Sequence, residues 1–486
     1  MSQVLVLLLY VFWIVALPAR GATLTVNPSR LAWFCAGFAL IVLVPAVIIR
    51  YRVSRLGAVN AWQLHLRTLR LIAVCRVAIV VWFVAGLFYG ATWVEFVQGL
   101  LGGAGKVPIT LPGMLLGPLP ALAAWVGLWW AQYPVDRLAR EQSIGPLLAE
   151  SMPAHPPPTL AGHIESGLRL QILATAVPLL LISFIRDAIN LVLWTTSIAD
   201  PRAAGIEATV TVAAALMVLA IAPEPLRRIF RTSRLPASAL RARLDELCRA
   251  AGTRYREVLL WNTNYAMGNA AVMGLLPQIR YVMLSDLLLE TMSDSEIEAV
   301  FAHELGHIVH RHTIWYVVFV VSVVVASTAV EAAVALIMHE MQLTAWASQA
   351  MDYTFAGAIV ALLILLFGMF SRRLERQADV YAARAMQPTS GQHEPRLRPV
   401  SPAGAAAVAS ALYRAASINH IPVEARSFRH GSIAKRVRFL QDLSAHPERS
   451  TGFDRGMRFV YTLVLGSLLC GAGALVAMYL YSRNAM

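Results

Sequence analysis

The sequence HELGH, residues 303–307, contains two histidines four positions apart with a glutamate between them. On an α-helix of about 3.6 residues per turn, positions i and i+4 share a face, so His303 and His307 can bind one zinc ion together. Glu304 falls beside that face, where its carboxylate can take a proton from an attacking water without binding the metal. The pattern predicts metal-assisted hydrolysis.

A third metal ligand must come from elsewhere, because a catalytic zinc usually has three protein ligands and one open position. Glu375, in SRRLERQAD, is the candidate, since two predicted membrane crossings separate it from HELGH and return the chain to the same membrane surface. Asp379 follows one turn later, where it can hydrogen-bond a ligating imidazole. The sequence therefore predicts about one Zn²⁺ per chain, bound by His303, His307 and Glu375.

A small α+β domain is predicted around these residues. The HELGH helix begins at a capping box, with Ser293 as N-cap and Glu296 three residues later. Upstream, REVLLWN and RYVMLSD predict strands that flank a turn-rich stretch, residues 262–278. Helices are predicted for ASALRARLDELCRAAG, which ends at Gly252, and for residues 403–417.

Most of the chain is predicted to lie in lipid, because 58% of its 486 residues are hydrophobic and the mean hydropathy is +0.60. A helical crossing needs about 20 mostly apolar residues. About nine segments meet this requirement: 4–19, 31–49, 71–93, 112–131, 170–195, 205–222, 313–338, 353–370 and 459–481. The first resembles a signal peptide in length, but it has no basic n-region, which favours a retained helix. The predicted fold class is a mainly α, polytopic membrane protein.

The formal charge of +13 comes almost entirely from arginine, since Lys106 and Lys435 are the only lysines. Arginine clusters at span ends are typical of cytoplasmic loops and argue against nucleic-acid binding. The clusters are Arg50, Arg52 and Arg55; Arg137 and Arg140; Arg227, Arg228 and Arg231; and Arg372, Arg373 and Arg376. Nine crossings from a cytoplasmic N-terminus place all of them, and the α+β domain, on the cytoplasmic side.

Three motifs together resemble the integral-membrane zinc metallopeptidase family of HtpX-type bacterial proteases and type I CAAX prenyl proteases. They are HELGH, SRRLERQAD after a two-span hairpin, and the upstream NTNYAMG, and the resemblance extends over about residues 220–445. It implies a gluzincin-type peptidase domain with His303, His307 and Glu375 as zinc ligands. It also implies that Glu304 is the catalytic base and that Asp379 supports a ligand.

The resemblance further implies substrate-binding residues. The family's substrate-edge motif corresponds to Asn264, Tyr265, Ala266, Met267 and Gly268. FRHGSIAKRVRFL is similar to a C-terminal His-Pro-x-x-x-x-Arg element, with Gly431 in place of proline. It implies that His430 donates a hydrogen bond to the oxyanion and that Arg436 holds His430 or contacts the peptide. A rival alignment runs through His446 in SAHPERS.

Three regions are predicted. A six-span membrane region, 1–222, includes a proline-rich loop at 132–169; the metallopeptidase domain, 223–458, includes the membrane hairpin 313–370; and a C-terminal span occupies 459–486. The N-terminal spans are closer in number to the CAAX type. Arg186, Asp187 and Glu331 fall within spans, where either a water-filled cavity or buried pairing would accommodate them. His310 and His312, at the end of the HELGH helix, are predicted to face lipid headgroups.

The predicted function is hydrolysis of peptide bonds in membrane-associated or misfolded proteins near the cytoplasmic face of a bacterial inner membrane. The expected partners are a polypeptide substrate and the lipid bilayer. Two alternatives remain at this point: a CAAX-type processing protease for lipidated C-termini, and a membrane signalling protein that uses the peptidase module. An intact Glu304 argues against an inactive scaffold.

Overall fold

The computed structural model of the chain describes residues 2–16, 26–55, 61–89, 92–101, 110–149, 155–195, 203–340, 345–387 and 398–485. Contacts divide the chain into two compact units, Met1–Ser233 with Trp261–Ala266, and Arg234–Leu260 with Met267–Met486. The sequence-based division placed the first boundary at 222 and treated the C-terminal span as a separate region. Residues 459–486, the predicted C-terminal span, fall in the second of these units.

The first unit is helical. Its helices are α1 Ser2–Ala16, α2 Pro28–Ser54, α3 Ala61–Tyr89, α4 Trp93–Leu100, α5 Leu111–Leu116, α6 Leu119–Ala149, α7 Leu160–Gly167, α8 Ala174–Thr195, α9 Ala203–Ile221 and α10 Pro223–Ile229, with a π-helical turn at Leu168–Leu173. Trp13, Phe83 and Trp125 are fully buried in its core. Helices α6 and α7 occupy most of the predicted loop 132–169, of which residues 150–154 lie outside the described residues.

Among the described residues, seven helices are long and apolar enough to cross a bilayer, and a pair bent by 52°, Thr209–Ile221 with Pro223–Ile229, would make eight. Eight of the nine predicted spans overlap these helices, and the remaining one, 4–19, overlaps a shorter apolar helix. The first predicted span is a helix of 15 residues. At about 1.5 Å per residue, it is shorter than the roughly 30 Å hydrocarbon core. Residues 17–19 of that predicted span lie outside the described residues.

Asp187 in α8 is a charged residue within a predicted span, and the structure shows its hydrogen-bond partners. Its carboxylate accepts hydrogen bonds from the Thr110 hydroxyl at 2.6 Å and the Leu111 amide at 2.7 Å. Both donors lie at the start of α5, so the buried aspartate has a structural pairing partner. Glu331, in contrast, is exposed on its helix.

The second unit contains most of a four-stranded sheet and the remaining helices. The strands are β1 Thr232–Arg234, β2 Glu257–Trp261, β3 Ala270–Met273 and β4 Tyr281–Ser285, in the order β1-β2-β4-β3. The helices are α11 Ala239–Ala250, α12 Asp286–Thr291, α13 Asp294–Val309, α14 His312–Glu340, α15 Ala345–Ala385, α16 Pro402–Ile418, α17 Ile433–Ala445 and α18 Glu448–Ala485. The predicted strands β2 and β4 are present, and the turn-rich stretch contains the additional edge strand β3.

Helix α13 carries HELGH and begins at the predicted capping box. The Ser293 hydroxyl accepts from the amide of Glu296, and the Glu296 carboxylate accepts from the amide of Ser293. The helix packs directly on α15. A Cβ atom at Gly306 would lie 2.9 Å from the Cα of Ala378 and 3.1 Å from its carbonyl oxygen, so glycine permits this close approach.

Helices α14, α15 and α18 share an apolar cluster that includes Phe319, Leu374 and Val464. The Ser322 hydroxyl donates to the carbonyl of Val464 at 3.0 Å, which ties α14 to α18. α15 runs without interruption from the membrane hairpin into the segment SRRLERQAD. The hairpin therefore delivers Glu375 on a continuous helix beside α13.

Candidate active site

His303, His307 and Glu375 converge in the second unit. The two imidazole Nε2 atoms are 3.3 Å apart, and the carboxylate oxygens of Glu375 lie 3.6 Å and 3.8 Å from them. Ligand atoms arranged tetrahedrally at about 2.1 Å from one zinc ion lie about 3.4 Å apart. The donor set and its spacing therefore fit zinc, and among the described residues this is the one group of three such donors within 4.8 Å of one another.

Asp379 holds the first of these histidines. Its Oδ1 lies 2.9 Å from Nδ1 of His303, so the imidazole directs Nε2 toward Glu375. Both carboxylate oxygens of Asp379 also accept from Arg436, at 2.6 Å and 2.7 Å. Asp379 is fully buried and Arg436 nearly so. Arg436 therefore supports His303 through Asp379, and its Nη1 lies 3.9 Å from Oε2 of Glu375, the oxygen that His430 also contacts.

The second histidine is held by a residue that the sequence assigned to the membrane surface. His312 was expected to face lipid headgroups, but it is 1% exposed, and its Nδ1 lies 2.7 Å from Nδ1 of His307. The physical reason is that α13 ends at Val309, with His310 as its C-cap, and the chain turns at Arg311, which has φ +54°, before α14 begins. That turn points the first residue of α14 back toward the site.

Glu304 lies between the metal ligands and the edge strand. Burial raises the pKa of its carboxyl, and a hydrogen bond from the backbone of Val272 partly offsets that rise. The Asn269–Ser285 hydrogen bond and the β3–β4 register direct the backbone groups of Ala270 and Val272 away from β4. The unpaired edge of β3 therefore faces the side on which Glu304 lies.

His430 is presented by a tight turn. Ser427 and Gly431 exchange backbone hydrogen bonds at 2.9 Å and 3.0 Å, and Gly431 has φ +75°. Proline cannot adopt this φ, so the turn depends on Gly431, which stands where the resemblance implies a proline. Nδ1 of His430 lies 2.8 Å from Oε2 of Glu375, and its side chain is half exposed. His446, of the rival alignment, instead contacts Asp442 within its own helix.

The predicted substrate-edge residues do not form one extended segment. Asn264 and Tyr265 have φ +55° and +53° and form a turn, and Tyr265 stacks on His155 with ring centroids 3.5 Å apart. Arg140 donates to the carbonyl of Ala266 at 3.3 Å, and these residues belong to the first unit.

Gly268, in the second unit, has both of its backbone groups engaged. Its amide donates to Oδ1 of Asn419 at 3.0 Å, and its carbonyl accepts from Nδ2 of Asn419 at 2.7 Å. The amide side chain thereby pairs with Gly268 as a neighbouring strand would. Met267 lies between this pair and the turn. The edge that stays open toward Glu304 is therefore at Ala270 and Val272.

The protonation states of the cluster agree with a cation site. Burial would lower the pKa of His303, but hydrogen bonds to Asp379 and Glu375 outweigh burial and raise it to about 10. Burial, with the nearby His303, lowers the pKa of His307 well below its usual value. Since a ligating imidazole must be neutral, a metal cation would replace the proton on His303 and satisfy the same carboxylates.

Two comparisons with known proteins gave matches, and the family match covers the site. Residues 234–448, which include the sheet, HELGH, Glu375 and His430, match the family model Peptidase family M48. The chain is also similar to a solved structure, the crystal structure of S. mikatae Ste24p, with 14% identity and a TM-score of 0.45 over 87% of this chain and 100% of that chain. No curated protein sequence matches the chain.

The resemblance predicted from the motifs is confirmed by the family match. That match spans the site, and seven helices among the described residues are long and apolar enough to cross a bilayer, so these findings together support a membrane metallopeptidase.

Proposed function

We propose that this metallopeptidase is a zinc-dependent endopeptidase that cleaves membrane-associated or misfolded proteins near the cytoplasmic face of a bacterial inner membrane. The observation that carries the proposal is the convergence of His303, His307 and Glu375 within 4.8 Å, with Glu304 beside them. Zn²⁺ bound by these three ligands would polarise the scissile carbonyl and acidify the attacking water.

Glu304 moves the proton in this mechanism. Its carboxylate takes a proton from the attacking water and returns it to the leaving amine. A carboxyl whose pKa is raised by burial is a better proton acceptor than an exposed one, which suits it to this exchange. Asp379 keeps Nδ1 of His303 hydrogen-bonded, so Nε2 presents its lone pair to the metal.

His430 is proposed to stabilise the developing oxyanion. The half-exposed imidazole beside Glu375 can rotate toward a carbonyl at the metal and donate a hydrogen bond as negative charge develops. Its placement on a turn, outside the packed helices, gives it this freedom. Arg436 contributes indirectly, through its bidentate contact with Asp379.

The substrate is proposed to bind as an added strand. An extended peptide can pair with the outward backbone groups of Ala270 and Val272, which requires no particular sequence. At Gly268 the corresponding amide and carbonyl already pair with the side chain of Asn419, so this end of the edge is not open to the peptide. The peptide's scissile bond would then lie beside Val272, which hydrogen-bonds Glu304.

The first test measures zinc content and peptide hydrolysis of the detergent-purified protein. We expect about one zinc per chain, near-complete zinc loss in His303→Ala and Glu375→Ala, and retained zinc without hydrolysis in Glu304→Gln. His446→Ala is the matched control, since His446 contacts its own helix, and it should behave as wild type. Near-normal hydrolysis by Glu304→Gln would rule out the proposed base, and zinc retention by both ligand variants would rule out the site.

The second test concerns the side of the membrane. Gln441 is exposed on α17, and Gln441→Cys in a variant whose native cysteines are replaced by alanine gives one labelling site. An impermeant maleimide should label it in inverted vesicles and not from outside intact cells. Labelling of intact cells would place the site on the outer face and contradict the cytoplasmic assignment.

A further inference from the structure

A chain of hydrogen bonds leads from His307 to the C-terminal helix. Nε2 of His312 lies 3.0 Å from Oε1 of Gln377, and the Tyr461 hydroxyl donates to the same oxygen at 2.5 Å. Together with the 2.7 Å contact between His312 and His307, these bonds connect four side chains on α13, α14, α15 and α18. We call this set of Tyr461, Gln377, His312 and His307 the neutral relay, because none of its members requires a formal charge.

The donor and acceptor at each contact of the neutral relay can be assigned by starting at Gln377 and proceeding toward His307. Oε1 of Gln377 can only accept, so Tyr461 O–H and His312 Nε2–H both donate to it. A neutral imidazole protonated at Nε2 has its lone pair on Nδ1, so Nδ1 of His312 accepts from Nδ1–H of His307. His307 must then have its lone pair on Nε2, the atom that faces His303 and Glu375. The relay selects the tautomer that a metal ligand needs.

Burial makes this assignment energetically significant. His312 is 1% exposed and Gln377 is 7% exposed. A polar side chain left unpaired in such a site loses its hydrogen bonds to water without replacement, so each member depends on the next. Removal of the Tyr461 hydroxyl leaves Gln377 with one donor fewer and relaxes the amide that fixes His312.

Helix α18 is held firmly enough to act as the end of the relay. The indole of Trp315 stacks on the Tyr461 ring, with centroids 4.1 Å apart and planes 19° from parallel. The Ser322 hydroxyl, two turns after Trp315 on α14, ties the same two helices through its hydrogen bond to the Val464 carbonyl. The hydroxyl of Tyr461 is thus supported by packing on α14, the helix that begins with His312.

We infer that Tyr461, Gln377 and His312 are positioning residues for His307, so that the C-terminal membrane helix α18 is a working part of the metal site. The inference rests on the proposed function, because the tautomer of His307 matters only if His307 binds a metal. Supporting residues of this kind contribute about 10- to 100-fold to metal affinity or activity. Tyr461, the most distant member, is expected at the lower end of that range.

The test compares variants that differ in hydrogen bonding but little in shape. Tyr461→Phe keeps the ring that stacks on Trp315, Gln377→Met removes the acceptor, and Gln377→Glu keeps it. Tyr479→Phe, at a tyrosine 65% exposed on the same helix, is the control. Zinc affinity is measured by competition with a chelator, ligand geometry by the visible spectrum of the Co²⁺-substituted protein, and kcat and KM at saturating zinc.

We expect zinc affinity to fall about 10-fold in Tyr461→Phe and about 10- to 100-fold in Gln377→Met, with altered Co²⁺ spectra and lower kcat at unchanged KM. Gln377→Glu keeps an acceptor but places a carboxylate in the relay, so it should lose less zinc affinity than Gln377→Met. Tyr479→Phe should remain near wild type. Wild-type zinc affinity in both Tyr461→Phe and Gln377→Met would overturn the inference. So would a loss in Gln377→Glu equal to that in Gln377→Met, because the acceptor would then be irrelevant.

The same measurements separate this inference from the proposed function. If the wild-type protein binds no zinc, or His307→Ala retains it, the proposed function fails. If wild type and His307→Ala behave as expected while the relay variants bind zinc normally, only the inference fails. Should Tyr461→Phe lower the melting temperature sharply, the contrast between Gln377→Glu and Gln377→Met still decides the question.

Discussion

The two imidazoles of the metal site are supported in opposite ways. Behind His303 is an ion pair, in which Asp379 accepts two hydrogen bonds from Arg436. Behind His307 are the other three members of the neutral relay, of which His312 contacts His307 directly. Both supports are buried, and both fix the imidazole by its Nδ1 atom so that Nε2 faces the metal position. One therefore supplies charge as well as orientation, and the other supplies orientation alone.

This difference distinguishes a support that also stabilises the fold from one that acts mainly on the metal site. A buried carboxylate without its partner costs several kcal/mol, so the ion pair couples the metal site to the stability of the fold. A neutral hydrogen bond contributes about 1 kcal/mol, so the relay adjusts the site without controlling folding. The ion pair joins α15 to α17, whereas the relay reaches across four helices to α18. Variants that distinguish stability from zinc affinity test this division.

The largest effect is expected from the ion pair. Asp379→Leu leaves Arg436 buried without its main partner and should destabilise the domain by about 3–5 kcal/mol, together with loss of zinc. The double variant Asp379→Leu/Arg436→Met should recover most of the melting temperature but not the zinc affinity, since His303 still lacks its hydrogen-bond acceptor. Thermal unfolding in detergent and chelator competition measure the two quantities. A single variant that melts at the wild-type temperature would contradict the coupling to folding.

His430 belongs to neither support, so its substitution should change activity without changing zinc affinity or stability. His430→Ala should lower kcat/KM by about 10- to 1000-fold, because one oxyanion donor is lost, while zinc affinity and melting temperature stay unchanged. His446→Ala, the alternative from the sequence alignment, should have no effect. If His430→Ala instead loses zinc, its 2.8 Å contact with Glu375 is a third support for the ligands.

The parts of the site that the sequence predicted are those determined by local spacing. His303, His307 and Glu304 follow from one helical turn, and the capping box gives the start of α13 directly. Glu375 follows from the need for a third ligand and from a membrane hairpin that returns the chain to the same surface. Each step depends on helix geometry or membrane thickness, which sequence patterns report well.

The parts that the sequence missed depend on tertiary contacts. His312 follows two charged or polar residues at the membrane boundary, which is typical of a headgroup contact, and only the turn at Arg311 directs it inward. Tyr461 is 84 positions from Gln377, and nothing in its local pattern indicates the contact. Strand β3 has four residues and exists because it pairs with β4, a context that local propensity does not contain.

A smaller effect, common to both supports, is expected at Gly306. Gly306→Ala places a methyl group 2.9 Å from the backbone of Ala378, which cannot yield as a side chain would. Separation of α13 from α15 should cost about 1–3 kcal/mol and weaken both supports together. Melting temperature and zinc affinity should therefore fall in parallel, unlike the relay variants. Loss of stability with unchanged zinc affinity would show that the ligands do not depend on this close approach.

The smallest effect is expected at the start of α13, which both ligand histidines share. Burial would raise the pKa of Glu296, but hydrogen bonds from Ser293 and Ser410 and the charge of Arg414 outweigh burial and lower it. A carboxyl whose pKa is lowered by folding stabilises the fold above its unfolded pKa, and this contribution is lost as the pH falls through the folded pKa.

Glu296→Gln should therefore reduce the melting temperature at neutral pH by the equivalent of about 1 kcal/mol or less, and the difference from wild type should disappear in acid. Zinc affinity at neutral pH should not change, because the capping box lies two turns before His303 and touches neither support. Melting curves of both proteins between neutral and acidic pH measure the difference. If the difference in melting temperature between wild type and Glu296→Gln widens as the pH falls, Glu296 is not stabilised as the anion. If zinc affinity changes, the ligands depend on the whole of α13 rather than on their two supports.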